Sequence, residues 1–195
     1  MSDIDAAIAE VATRPEAIER HFPAAKRRAA REGRDGDDTR MAMLLALNGP
    51  RDEVLGLVER LYWQGDTSER LAVLRALHPL DGADRANAIG DGALSVVRDA
   101  LRTNDSRLIA AAMGRYAARH LDAAAWRQAV LKFLFVGIPI DQVAGLDTRA
   151  DAELGRMVAD YVAEREAAGR TVPSDALEIL GLVEHTSSLT PARAE

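Results

Sequence analysis

The 195-residue chain contains no cysteine. Disulfides, thiolate nucleophiles and cysteine-based zinc sites are therefore excluded. Lysine is nearly absent: Lys26 and Lys132 stand against 23 Arg, an imbalance that a GC-rich coding bias explains. There is no surplus of positive charge either. Lys and Arg together number 25 against 31 Asp and Glu, for a net charge of −6. A dedicated nucleic-acid binder carries a basic surplus to match the phosphates, so that class is set aside. Long apolar runs are missing as well. The longest, Phe133 to Ile140, falls far short of the ~20 residues a spanning helix needs. The first residues, Met1-Ser2-Asp3-Ile4-Asp5, are acidic where a signal peptide is basic, and the expected location is the cytoplasm.

Short catalytic signatures are absent too. None of His21, His78, His120 and His185 has a second histidine three or four residues away, and there is no HExxH. They read as solvated or helix-end histidines. Asp35, Asp37 and Asp38 lack the further acids and the closing Glu of a calcium loop. No GxSxG, Walker loop or GxGxxG occurs. Gly90-Asp91-Gly92 reads as a kink in a helical stretch rather than a phosphate cradle. No metal and no cofactor is expected.

What the chain has in quantity is alanine, 37 residues of it, with few β-branched runs. The expectation is an all-α fold. Val54, Leu57, Val58 and Leu61 follow the i, i+3, i+4, i+7 pattern, and so do Leu154, Met157, Val158, Tyr161 and Val162. Punctuation separates the helices. Asp38 or Thr39 caps one that runs to Leu47, before Asn48-Gly49. The next opens at Pro50 and ends near Gly65. Asp66 with Glu69 makes a capping box for a third, which is expected to stop at His78-Pro79 because the residue before proline avoids the α region. Further helices are expected from about Asp84 to Thr103, from Asn104-Asp105 to His120, from Asp122 to Gly137-Ile138-Pro139, from Asp151 to Gly169, and from Pro173-Ser174 to about Glu184. Short connections favour antiparallel hairpins. The irregular spacing of helix starts fits a degenerate HEAT-like α-α superhelix or an irregular orthogonal bundle. One domain over 1–184 and a disordered tail over 185–195 complete the expectation.

Two stretches carry unusual charge. Arg20, Lys26, Arg27, Arg28, Arg31 and Arg34 form a basic run, read first as a solvated helix face and second as an anion or acidic-lipid surface. The other is the helix from Trp126 to Pro139, whose broad apolar face holds Trp126, Ala129, Val130, Phe133 and Leu134 and continues through Leu131 and Phe135. A helix apolar on nearly all sides belongs in the middle of a fold. Lys132 within it must reach solvent, pair with a carboxylate or meet a bound anion, and Gln128 shares its edge one turn away. Candidate companions in an anion pocket are Arg102, which shares a helix with Arg98, and Asn104 at the end of that helix. Arg149 and Arg170 flank the long helix. The plainer readings are a snorkelling lysine, a turn asparagine and arginines that tie loops.

The order of residues here resembles the EboA family. The resemblance is carried by Arg102-Thr103-Asn104, by Trp126-x-Gln128-x-Val130-Leu131-Lys132-x-x-Phe135-x-Gly137 and by Pro139. It continues through Gly145-Leu146-Asp147-x-Arg149-Ala150, Glu153-Leu154, Met157 and Asp160-Tyr161 to Glu164-Arg165-x-Ala167-Ala168-Gly169-Arg170-x-Val172. His21-Phe22-Pro23-x-x-Lys26-Arg27 is similar to the family's N-terminal part, while Arg127 stands where family members often have Asn. The resemblance implies a metabolite-traffic protein encoded beside a prenyltransferase, a metal-dependent hydrolase and sugar-phosphate-isomerase-like proteins. The linked pathway processes and exports secondary-metabolite precursors, a sunscreen pigment among them, and serves polysaccharide production. No catalytic residue carries over. The leading expectation is thus a non-catalytic adaptor that holds a pathway enzyme or an anionic intermediate. The alternative is an enzyme that uses Lys132 in a buried polar pocket as a base or phosphate anchor.

Overall fold

The computed structural model describes residues 2–189, with side chains through 185. Among the described residues the chain is all-α, with thirteen α-helices, three 3-10 turns and no strand. Its contacts divide it into two compact units, Met1–Tyr116 and the remainder from Ala117 onward.

The first unit holds α1 (Asp3–Thr13), α2 (Ile18–His21), α3 (Ala25–Arg31), α4 (Gly36–Leu45), α5 (Arg51–Gln64), α6 (Thr67–Leu80), α7 (Leu94–Arg102) and α8 (Ser106–Ala112). Side-chain caps set half of the starts, those of α1, α4, α6 and α8. Ser2 and Asp5 close a capping box on α1, and Asp66 and Glu69 close the expected one on α6. Consecutive pairs pack together, α3 with α4, α5 with α6 and α7 with α8, and α6 also contacts both α4 and α8. The buried core includes Ile4, Ile18, Phe22, Met43, Leu44, Tyr62 and Leu77.

Four expected boundaries in this unit shift. The cap of α4 is Asp35, not Asp38 or Thr39: its carboxylate accepts from the Asp37 and Asp38 amides at 2.8 and 2.9 Å, so the first turn begins ahead of the expected caps. Helix α6 does not stop before Pro79 but carries it in its final turn. Only one amide is lost there, and the Asp81 amide bonds to the Leu77 carbonyl at 3.0 Å beyond it. The expected helix from Asp84 is replaced by turns and a 3-10 turn at Gly90–Ala93, with α7 starting only at Leu94. Gly90 has φ +56°, and a Cβ on Gly92 would lie 2.5 Å from Leu55 Cδ2, so the backbone comes in where a side chain would not fit. The expected helix to His120 is interrupted after Ala112 at Met113-Gly114, and α9 (Arg115–His120) follows. The division into units falls within α9.

The second unit continues with α10 (Ala123–Val136), α11 (Leu146–Arg149), α12 (Ala152–Ala167) and α13 (Ser174–Leu189). Asp122 caps α10 and Asp151 caps α12. Gly137 ends α10 in the left-handed region at φ +76°, its amide bonded to the Phe133 carbonyl at 2.8 Å. Helix α12 packs against both α10 and α13. The last helix runs past Glu184 to Leu189, because no Gly or Pro follows before Pro191. That places the first residues of the expected tail in a helix, and 190–195 lie outside the described residues. No helix among the described residues is long and apolar enough to cross a membrane.

Candidate functional site

Helix α10 supplies the residues that the sequence singles out. Trp126, Ala129, Val130, Phe133 and Leu134 are buried as the periodicity requires. The helix is not enclosed on all sides, however. Phe135 is 65% and Val136 44% exposed at its C-terminal end, because the apolar face turns out of the unit beyond Leu134. Phe135 still packs edge-on against Tyr161 of α12, with ring centroids 4.9 Å apart. On the polar edge Gln128 is exposed and Lys132 is half-buried one turn later.

Arg149 is the best-anchored of the candidates. Its Nη1 donates to the Ala117 and Ala118 carbonyls at 3.2 and 2.8 Å, and its Nη2 donates to the Leu121 carbonyl at 2.8 Å. These carbonyls lie in the last turns of α9 and just beyond, where helix geometry leaves carbonyls short of donors and the dipole favours a cation; the Ala117 carbonyl also accepts the Leu121 amide. The guanidinium also lies 4.9 Å from the Trp126 ring centroid. Burial pulls its pKa down from the ordinary arginine value, with Asp122 opposing that shift. Arg149 therefore acts as a tie, with three of its five N–H donors spent on these carbonyls. The Trp126 indole N–H is buried and finds no acceptor among the described residues.

The remaining candidates are exposed. Arg102 and Asn104 sit at the C-terminal end of α7 in the first unit, and Arg170 follows α12 in the second. Gln128, Lys132, Arg149 and Arg170 thus share one unit, and among them only Gln128 and Lys132 lie on one helix.

Three of the six cations in the basic run near the N-terminus are paired inside the first unit. Arg34 meets Asp5 at 2.8 Å, Arg28 meets Asp3 at 3.4 Å and Arg20 meets Glu10 at 2.7 Å, all acids of α1. His21, 5% exposed, lies between Glu10 (Nε2 to Oε2, 2.8 Å) and Arg28 (Nδ1 to Nη1, 2.7 Å). Arginine only donates, so Nδ1 accepts from Arg28, while Nε2 lies 2.8 Å from the Glu10 carboxylate and 3.2 Å from Arg20 Nη2. That hydrogen bond holds the Glu10 carboxyl below its ordinary value.

Sequence reasoning missed Arg40, which is 2% exposed. Its Nη1 donates to Ser68 Oγ at 2.6 Å, its Nη2 faces Glu69 Oε1 at 3.4 Å, and its guanidinium lies 5.3 Å from the Phe22 ring centroid. Lys26 Nζ reaches the same Ser68 hydroxyl at 3.1 Å. The available signal was spacing: Arg40 stands three and four residues before the core residues Met43 and Leu44, on the buried face of α4. Between α6 and α8 lies a cavity of about 320 Å3, walled by Leu74, Leu77, Pro79, the run Ala110–Ala112 and the rings and stems of flanking residues. Among the described residues no three histidines or carboxylates come together in a way that could hold a metal ion.

Comparison with known proteins gives one match. No curated protein and no solved structure matches the chain. The model of the family described as metabolite traffic protein EboA matches residues 34–181, which include α4 through the first half of α13 and all six candidate residues, and the chain belongs to the EboA family.

Proposed function

We propose that the protein is a non-catalytic helical adaptor or binding protein that assists the processing or export of a secondary-metabolite or polysaccharide precursor. It holds a pathway enzyme (a prenyltransferase, a metal-dependent hydrolase or an isomerase-like protein) or an anionic intermediate. The observation that carries this reading is the family match over 34–181, whose description is metabolite traffic. The absence of short catalytic signatures from the sequence is in keeping with it. In the second unit, the arginine best placed to meet an anion is committed to backbone carbonyls, which favours structural work over chemistry at that position.

The test is affinity purification of the full chain from its native host, followed by mass spectrometry of both proteins and small molecules. The expected result is a cluster-encoded enzyme or a bound metabolite at stoichiometric level. Recovery of the chain alone, in repeated purifications from producing cells, overturns the proposal.

A further inference from the structure

The cavity between α6 and α8 has a composition that selects a ligand class. Its α8 wall is Ala110, Ala111 and Ala112, followed by Gly114, so one side offers methyl groups where larger side chains would fill the space. Leu74 and Leu77 of α6, both nearly fully buried, face it from the other side with Pro79. The Tyr116 hydroxyl is engaged elsewhere: it donates to the Gly90 carbonyl at 2.7 Å and accepts from the Ala93 amide at 3.0 Å. Tyr116 therefore contributes ring surface to the cavity. Burial and the nearby Asp81 and Asp91 push its phenol up to about 12, with the Ala93 amide opposing.

Two arginines stand on the rim. The polar residues around the cavity are Arg75, His78 and Arg115, with no carboxylate among the lining residues. All three are exposed. Arg75 reaches Asp37 at 3.2 Å, whereas Arg115 and His78 have no hydrogen-bond or ion-pair partner among the described residues. In a chain of net charge −6, a locally cationic mouth over an apolar interior is a departure from the rest of the composition. At about 320 Å3 the cavity falls at the small end of the range usual for small-molecule sites, roughly 300–1,000 Å3.

We propose that this cleft binds an amphiphilic anion, a small molecule whose apolar body lies between Leu74, Leu77 and the Ala110–Ala112 wall and whose phosphate or carboxylate sits at Arg115 and Arg75. The apolar body supplies affinity by leaving water. The arginines orient the charged end, because a guanidinium fork matches the oxygens of either group. The proposal deepens the binding-protein reading and rests on it, but it is tested separately.

Titration calorimetry of the full chain with decyl phosphate, decanoate, decanol and inorganic phosphate provides that test, all below micellar concentrations. The two alkyl anions are expected to bind at least tenfold more tightly than decanol or inorganic phosphate, and their ratio identifies the preferred headgroup. Ala111→Leu, at a half-exposed wall position, is expected to weaken both alkyl anions at least tenfold. Arg115→Gln is expected to remove most of the advantage over decanol, and added salt should shrink that advantage in the wild type. Circular dichroism checks that both variants fold. No binding of either anion overturns the proposal, as does binding that neither variant alters. Equal binding of decanol removes the anionic part and leaves a site for an uncharged chain or for an apolar segment of a partner. If native purification yields a partner or metabolite while the alkyl anions fail to bind, the cleft assignment falls and the adaptor reading stands.

Discussion

Arg127 of α10 grips Asp151, the cap of α12, with two nitrogens: Nε to Oδ1 at 2.9 Å and Nη2 to Oδ2 at 2.6 Å. The same Asp151 Oδ1 accepts the Leu154 amide at 3.0 Å. One carboxylate therefore starts a helix and ties it to another. An Asn at position 127 could not form this two-pronged, charge-assisted pair. The departure at Arg127 thus has a structural account inside the second unit.

Asp151→Ala should destabilise the protein by about 1–2 kcal/mol, chiefly through the lost cap, since the ion pair is partly exposed and worth less. Asp151→Asn should recover part of the cap but not the charge. The Arg127 hydrogen bonds hold the Asp151 carboxyl below its ordinary value. Its stabilising contribution is therefore complete above the unfolded value of about 3.9 and is lost as pH falls through the lower folded value. Urea unfolding at pH 7 and pH 3 should show a larger loss in the wild type than in Asp151→Asn. Equal losses would remove the charge from the account.

Arg149→Ala removes a cation from three carbonyls and from the Trp126 ring at once. Net values for hydrogen bonds to charged groups put the cost at about 2–3 kcal/mol. Arg149→Lys should be intermediate, because one ammonium cannot span acceptors served by a planar fork. Chemical denaturation followed by tryptophan fluorescence measures both. A cost under ~0.5 kcal/mol for Arg149→Ala would return Arg149 to the ligand-binding candidates.

Gly155 lets α12 approach α13: a Cβ there would lie 2.9 Å from Val183 Cγ1. Alanine in a helix interior gains about 1 kcal/mol over glycine, but overpacking against a stiff β-branched side chain costs about 1–3 kcal/mol. Gly155→Ala should therefore be net destabilising in the wild type and stabilising in a Val183→Ala background. The double-mutant cycle reads the sign directly, and additivity would show that the helices simply move apart.

Lys132→Met keeps most of the apolar stem of a half-buried residue and removes its charge. The adaptor reading expects a folded variant that still supports formation of the pathway product in the host. The competing reading, an enzyme that uses Lys132 as a base or phosphate anchor, expects a folded variant with product abolished, and a neutral phenotype in a folded variant overturns it.

Much of the helical layout was legible in the sequence because its signals are local. The Asp66/Glu69 box, the Asp122 and Asp151 caps and the Gly137 stop each act within one turn, and each stands where the pattern places it. The errors arose where packing overrode a local rule. Pro79 stays inside α6, and Gly90 and Gly92 give up a helix so that the backbone can pass Arg51 and Leu55. The distant partners of the arginines were not legible. Arg40 with Ser68, Arg127 with Asp151 and Arg149 with the end of α9 join residues 24 to 32 positions apart, and nothing in the separation or residue type announces them.

Composition and short-range pattern by themselves determined an all-α protein without thiol chemistry, and the order of motifs determined its family. The tertiary structure decided which of its many arginines are used up. Arg40 and Arg149 are spent on the fold, while Arg115 is left at the mouth of an apolar cleft. The reason is physical. Helix propensity and capping depend on neighbours along the chain, but whether a guanidinium is satisfied depends on acceptors that only packing brings within about 3 Å.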